Sequence, residues 1–212
     1  MGLQLLQKGL STLVIWDVNE TLLQSTALEF KKMGYEVFIY LVDVMNTAQV
    51  INIAAQVKKE VGKIDILINN AGIVVGKYFI DHTHDEIDKT IGINCNALMH
   101  ITKEFLSDMM HTKQGHIVNI ASAAGMVSNP KLSVYVASKF AVIGWSDSLR
   151  LEMEKENTNI KITTVTPFFI STGMFEGVKS NIVPIVKPQN AVDKIIRGIE
   201  KDRLYVRLPG IV

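Results

Sequence analysis

Cysteine is almost absent from this chain. Cys95 is the only one in 212 residues, so no disulfide can close within it, and a reducing compartment is the simplest setting. Long apolar runs are missing as well: nothing approaches the roughly 18 residues of a membrane span, and no signal peptide is visible. The expectation is a cytoplasmic protein with no membrane span of its own, peripheral association through segments outside this chain being the alternative. Charge of one sign is not in excess. A net charge of +1 gives no electrostatic reason to expect nucleic acid or an anionic membrane as partner. Metal-ligand spacing is absent too: His82 and His84 stand two apart, and His100, His111 and His116 are scattered, with no Cys or carboxylate set to complete a site. The five histidines read as surface or packing residues. Cys95, inside an apolar helical run, reads as a space-filler rather than a nucleophile.

What is present is an alternation of strand-like and helix-like segments, the sequence sign of βαβ units and a parallel sheet. Short apolar or β-branched runs fall at Thr12–Trp16, Val37–Leu41, Ile64–Ile68, His116–Ile120 and Ile160–Val165, with a weaker one at Leu204–Val206. Helix ends are readable between them. Asn19 suits an N-cap and Gly34 a C-terminal stop; Asn46 with Gln49, and Thr83 with Glu86, have the spacing of capping boxes; Gly62 ends the second helix and Pro188 opens the last. Ile87, Ile91, Leu98, Ile101, Phe105 and Met109 recur at helical spacing and predict one long helix. The next helix holds Tyr135 near its start and runs on through Ile143, Leu149 and Met153. No repeat, low-complexity tract or linker interrupts the pattern, so one domain is expected.

The chemistry-bearing residues are Tyr135 and Lys139, four apart, with Ser122 thirteen residues upstream and Asn69-Asn70-Ala71-Gly72 well before both. Positions i and i+4 share a helix face, so phenol and ammonium can approach each other. A free Tyr titrates near ~10, and a neighbouring cation is expected to lower that value and make Tyr135 an acid/base at neutral pH. Ser122 could then hold the oxygen of a reacting alcohol or carbonyl. A Tyr-x-x-x-Lys pair alone is common on exposed helices, where the ring merely packs on the lysine stem. The combination is far more specific than the pair.

Assembled, these residues resemble the short-chain dehydrogenase/reductase family over essentially the whole chain. The resemblance implies an α/β, Rossmann-like three-layer αβα sandwich with a mainly parallel sheet, a nicotinamide dinucleotide, and a tetrad of Asn94, Ser122, Tyr135 and Lys139. Tyr135 would be the acid/base and Ser122 would position the substrate oxygen. Lys139 would bind the nicotinamide ribose and tune Tyr135, and Asn94 would anchor a water in the proton relay. Asn96 is a rival for that role, but Asn94 stands in the family register, next to Ile93 on the cofactor side.

Asp17, ending the strand Val14-Ile15-Trp16-Asp17, occupies the place where a carboxylate meets the adenosine ribose, which favours NAD over NADP. Asp after a strand is equally a common turn and cap residue. By the same resemblance Asp43 and Val44 contact the adenine, Asn69, Ala71 and Gly72 line the cofactor path, and Pro167, Ile170 and Thr172 hold the carboxamide. That last segment departs from the family in having Phe168 where Gly is usual. A finer similarity, in Gly72-Ile73-Val74, in Pro167-Phe168-Phe169-Ile170 and in the stretch from Thr172 to Gly177, is to the branch containing retinol dehydrogenases and 17-beta-hydroxysteroid dehydrogenases, which act on hydrophobic alcohols and ketones. Met126, Val127, Met174 and Phe175 would form an apolar substrate wall, or are ordinary core or dimer residues.

The family opens with a strand and a Thr-Gly-x-x-x-Gly-x-Gly loop that receives the pyrophosphate. Neither is in this sequence, in which residues 2–9 read as the second half of the helix after that loop, and Gly72 and Gly76 supply no substitute. The expectation is therefore a single dinucleotide-binding domain lacking its first strand and truncated at both ends, with weak NAD binding by residues 1–212 alone. The leading function is NAD-dependent oxidation of a hydrophobic alcohol, or the reverse reduction. The alternatives are reduction of a 3-oxoacyl thioester and a non-catalytic fragment acting as a dimerisation or binding module. The helices with Ile101 and Phe105, and with Ile143 and Leu149, resemble the pair through which family members form homodimers or homotetramers.

Overall fold

The computed structural model describes residues 1–171 and 185–210. The chain divides into two compact units, Met1–Lys63 and Ile64–Val212.

The first unit is a parallel pair of strands with helices. Helix α1 (Gly2–Gln7) buries Leu5 and Leu6; β1 (Thr12–Asp17) pairs with β2 (Glu36–Leu41), Thr12 opposite Glu36 and Asp17 opposite Leu41. Between the strands runs α2 (Glu20–Lys32), whose first turn is capped by Asn19 accepting from the Leu22 amide at 3.0 Å. Past its end Gly34 takes φ +87°, a left-handed turn that costs other residues a steric penalty. Leu6, Ala27 and Val37 form the centre of this core, with Phe30 and Ile39 against them. Helix α3 (Thr47–Glu60) starts at Asn46, which accepts from the Gln49 amide, and stops before Gly62 at φ +91°.

The second unit is built on a four-stranded, wholly parallel sheet in the order β3 (Ile66–Asn69), β4 (Gln114–Ile120), β5 (Asn159–Pro167), β6 (Tyr205–Leu208). Parallel strands need crossovers, and helices supply them. They are α4 (His84–Ile91), α5 (Ala97–Thr112), α6 (Ser133–Lys155) and α7 (Pro188–Glu200). Thr83 and Glu86 form the full capping box at the start of α4, and Pro188 occupies the first turn of α7. Strand alternation puts Ile117, Ile160 and Ile162 against Met109 of α5 and Leu149 and Met153 of α6, the apolar core of the unit. Gly198 of α7 lies so close to β6 that an added Cβ would fall 2.2 Å from Val206.

One expectation needs correction. The long helix predicted through Ile87 and Met109 is two helices, because Gly92–Asn96 between α4 and α5 winds as a π-helix. The extra residue in that turn rotates Asn94 inward, where it is 3% exposed.

Candidate active site

The carboxyl ends of β3, β4 and β5 converge on the first turns of α6, the position at which parallel α/β sheets bind ligands. Ser122 follows β4 and caps a single 3₁₀ turn, Ala123–Gly125, its hydroxyl accepting from the Ala124 amide at 3.1 Å. It also donates to the Pro167 carbonyl at the end of β5, 3.4 Å away, and hydrogen-bonds the phenol of Tyr135. Close approach of this turn to α6 depends on Gly125. A Cβ there would stand 2.7 Å from the Lys139 carbonyl oxygen and 2.6 Å from Ile143 Cδ1. Backbone does not yield to such a contact as a flexible side chain would, so this glycine sets how near Ser122 comes to Tyr135.

Tyr135 and Lys139 are both buried, 4% and 5% exposed. The ammonium lies 5.7 Å from the ring centroid of Tyr135 and donates to the Ile120 carbonyl at 2.9 Å. Burial pulls the lysine pKa down from 10.5 to about 8, the Cys95 thiol opposing the shift. The expected lowering of the Tyr135 pKa is reversed. Burial pushes it above the usual phenol value, and the Ser122 hydrogen bond works against that rise without overcoming it. A charge pattern is legible in sequence, whereas loss of water around a phenol is not.

Asn94 is anchored on both sides of its amide. Its Oδ1 accepts from the Ile73 amide at 2.8 Å, and its Nδ2 donates to the Ile73 carbonyl at 2.9 Å and to the Ser138 hydroxyl at 3.1 Å. Gly72 fits beside it: a Cβ would fall 3.3 Å from Asn94 Oδ1 and 3.7 Å from Lys139 Nζ. Asn96, the rival, is exposed. Asn69 sits at the end of β3 with its amide turned into the interior, donating to Thr102 Oγ1 (2.9 Å) and Asn119 Oδ1 (2.8 Å); Asn119 donates onward to Ser146. Asn69 is thus spent on structure by its side chain, while Ala71 is exposed and Ile93 half-buried.

Met126 is half-buried, Val127 is 60% exposed, and Pro167 and Ile170 are half-buried. Thr172, Met174 and Phe175 lie outside the described residues. Phe168, the departure from the family pattern, packs edge-on to Phe169 with centroids 4.6 Å apart.

In the first unit Asp17 and Asp43 are exposed at the carboxyl ends of neighbouring parallel strands, linked by the Val42 amide donating to the Asp17 carbonyl. Each carboxylate closes a local turn: Asp17 Oδ1 accepts from the Asn19 amide and Asp43 Oδ1 from the Met45 amide. Val44 is half-buried beside them.

Sequence reasoning missed three residues here. Ser138 stood inside the Tyr135–Lys139 motif, on the same helix face as Tyr135. Gly125 closes the small-residue run Ser122-Ala123-Ala124-Gly125, whose lack of side-chain bulk is the signal of a close approach. Asn119 was signalled by an amide in the otherwise apolar run Ile117-Val118-Asn119-Ile120. Among the described residues no cluster of His, Cys, Asp and Glu could hold a metal ion, and no helix is long and apolar enough to cross a membrane.

The sequence profile of the family described as short chain dehydrogenase matches residues 1–182. The chain belongs to the short-chain dehydrogenase/reductase family. It is 41% identical to epidermal retinol dehydrogenase 2 of Mus musculus over 214 residues, which cover 99% of this chain and 69% of that protein. It is 36% identical to estradiol 17-beta-dehydrogenase 11 of Pongo abelii, covering 95% and 68%. Among solved structures, a Sphingobium yanoikuyae short-chain dehydrogenase in complex with NADPH superposes with TM-score 0.88 at 24% identity, covering 99% of this chain and 82% of that one. A Burkholderia phymatum short chain dehydrogenase/reductase in complex with NAD superposes with TM-score 0.84 at 24% identity, covering 94% and 80%. The fold is therefore the Rossmann-like α/β fold of these oxidoreductases, and the family is one of nicotinamide-dependent enzymes.

Proposed function

We propose that this chain is a dehydrogenase/reductase for a hydrophobic alcohol and its ketone or aldehyde, in the class of retinoids, steroids and long-chain alcohols, with NAD as preferred cofactor. The observation that carries the reading is the buried grouping of Ser122, Tyr135 and Lys139 at the ends of β4 and β5, with Asn94 tied in by Ser138. The retinol and estradiol dehydrogenases similar to this chain support the substrate class. The profile match, which runs through both units, supports one dinucleotide-binding domain.

The residues present fit a nicotinamide end. Gly72 leaves open the space beside Lys139 Nζ that a Cβ would fill, and Lys139 is a cation already stripped of water. Asp17 offers an exposed carboxylate after a parallel strand, suited to ribose hydroxyls and repellent to a 2′-phosphate. When bound, the cofactor supplies or accepts the hydride. Ser122 holds the substrate oxygen, and Tyr135 keeps the proton on its phenol oxygen until that oxygen takes it, or receives it in the reverse direction. Lys139 binds the ribose and, as a nearby cation, stabilises the phenolate that each turnover creates. Asn94 holds the loop after β3 at its set distance from α6 and anchors the water of the proton relay.

Absorbance of NADH with all-trans-retinol, estradiol, a long-chain alcohol and a 3-oxoacyl thioester tests the reading. With NAD supplied in large excess, to offset the weak binding expected without a glycine-rich loop, turnover of one of the alcohols is expected. Reduction of the thioester alone would replace the substrate class, and no nucleotide binding by calorimetry would favour a binding module. Self-association through α5 and α6 completes the proposal: α6 exposes Phe140 and Leu151 at 44% and 55%, while Ile101 and Phe105 of α5 are buried within the chain itself. Light scattering at micromolar concentration should give a dimer or tetramer, and a monomer would contradict it.

A further inference from the structure

Ser138 is fully buried and has no direct line to any reacting atom in the proposed chemistry, yet it connects the parts that do. Its hydroxyl proton goes to the Tyr135 carbonyl, 2.6 Å away and one turn back in α6. Its oxygen accepts from Asn94 Nδ2 at 3.1 Å. The other Asn94 amide proton goes to the Ile73 carbonyl, and Asn94 Oδ1 accepts from the Ile73 amide. A continuous chain of hydrogen bonds thus runs from the loop after β3, through the π turn, into the helical turn that carries Tyr135.

We infer that Ser138 is a positioning residue of the active site, locking Asn94 and the π turn to the backbone of Tyr135. The inference rests on the reading of Tyr135 and Lys139 as the reacting pair. The physical case has three parts. Asn94 is 3% exposed, so a lost partner for its Nδ2 is not replaced by bulk water. The π turn has one residue more than an α turn and needs an outside contact to hold its register. A hydroxyl can accept from Asn94 while donating to the backbone of its own helix, which alanine, glycine and cysteine do poorly or not at all at this position. In a helical residue three after Tyr135 the hydroxyl also fixes the carbonyl of that very turn, so displacement at Asn94 is felt at the phenol.

The test compares Ser138→Ala, Ser138→Thr, Asn94→Ala and the double variant N94A/S138A in the full chain. Ser138→Ala should lower kcat about tenfold with KM changed less than threefold, and should move the apparent pKa seen in the kcat/KM profile. Ser138→Thr, which keeps the hydroxyl, should restore most of the rate. Added to Asn94→Ala, Ser138→Ala should cost nothing further, because both break one link. Without substrate or cofactor, amide exchange at Ile73 should quicken in Ser138→Ala, since its acceptor is Asn94 Oδ1. Additive losses, an unmoved pH profile, unaltered exchange at Ile73, or a Ser138→Ala protein that cannot fold would each overturn the assignment, the last because the residue would then be structural. Full activity in Tyr135→Phe would instead overturn the underlying reading and leave the exchange result standing on its own.

Discussion

The carboxyl ends of the strands in the two units are made very differently. In the second unit the groups at the strand ends are buried and mutually bonded: Lys139 reaches the Ile120 carbonyl, Ser122 reaches Pro167 and Tyr135, and Asn94 reaches Ile73 and Ser138. In the first unit Asp17 and Asp43 are exposed, and each is satisfied by an amide two residues along the chain. Buried groups of this kind are fixed before any ligand arrives, which is what proton transfer needs. Exposed carboxylates on short turns can be exchanged at small cost to the fold and contribute mainly to affinity and selectivity. Substitutions in the second unit should therefore alter rate and stability together, and those at the exposed carboxylates of the first unit should alter preference far more than stability.

The largest effect is expected at Tyr135. Tyr135→Phe removes one oxygen and keeps the ring in its buried site, so turnover should fall roughly 100-fold or more while cofactor affinity stays near normal. Single-turnover kinetics with calorimetric binding would separate the two. Retained activity would remove the distinction drawn between the units.

Lys139 sharpens the contrast through stability. A buried cation whose pKa falls from 10.5 to about 8 gives up its proton more readily in the folded state. Between about pH 8 and 10.5 the unfolded chain holds the extra proton, so stability rises with pH across that window. Lys139→Met should abolish activity, raise stability at pH 7 by about 1–3 kcal/mol, and remove the rise. Denaturant melts at pH 7 and pH 10 measure both. Equal slopes with pH in the two proteins would show that the ammonium is better solvated than its burial implies.

Gly125→Ala probes the contact rather than the chemistry. A methyl group 2.7 Å from the Lys139 carbonyl forces the 3₁₀ turn away from α6, at a cost of about 1–3 kcal/mol for overpacking. Ser122 moves with the turn, so kcat should fall along with the melting temperature. A stable variant with unchanged kcat would mean that Ser122 keeps its bond to Tyr135 by another route.

How much of this was legible in the sequence follows the same division. Strands β1 to β6 announced themselves as β-branched runs, and Asn19, Asn46 and Thr83 as caps, because strand alternation and capping are local physics. The π turn was not legible. Ile91 and Leu98 are seven apart, a spacing that reads as unbroken helix, and one inserted residue hardly disturbs the phase of Ile101, Phe105 and Met109. The Tyr-Lys motif was legible as chemistry, but the direction of the Tyr135 shift was not, since it depends on walls contributed by distant segments. Asn69 shows the same limit: its motif pointed to the cofactor, while its amide is taken up by Thr102 and Asn119, 33 and 50 residues away.

The smallest effect, and the one that tests the first unit, is expected at Asp17. Asp17→Ala removes an exposed carboxylate whose structural duty is one hydrogen bond from the Asn19 amide, at the entrance to a helix that Asn19 caps independently. Stability should change by only about 0.5–1 kcal/mol, the scale of a single exposed turn contact. Cofactor preference should change more. Without the negative charge, NAD loses a hydrogen-bond acceptor for its ribose, and the 2′-phosphate of NADP loses a repulsive neighbour, so the two affinities should converge. Titration of both nucleotides into the parent and the variant gives the ratio directly. A parent protein that binds NADP more tightly, or a ratio that does not move, would mean that this carboxylate serves its turn alone and that selectivity resides elsewhere in the chain.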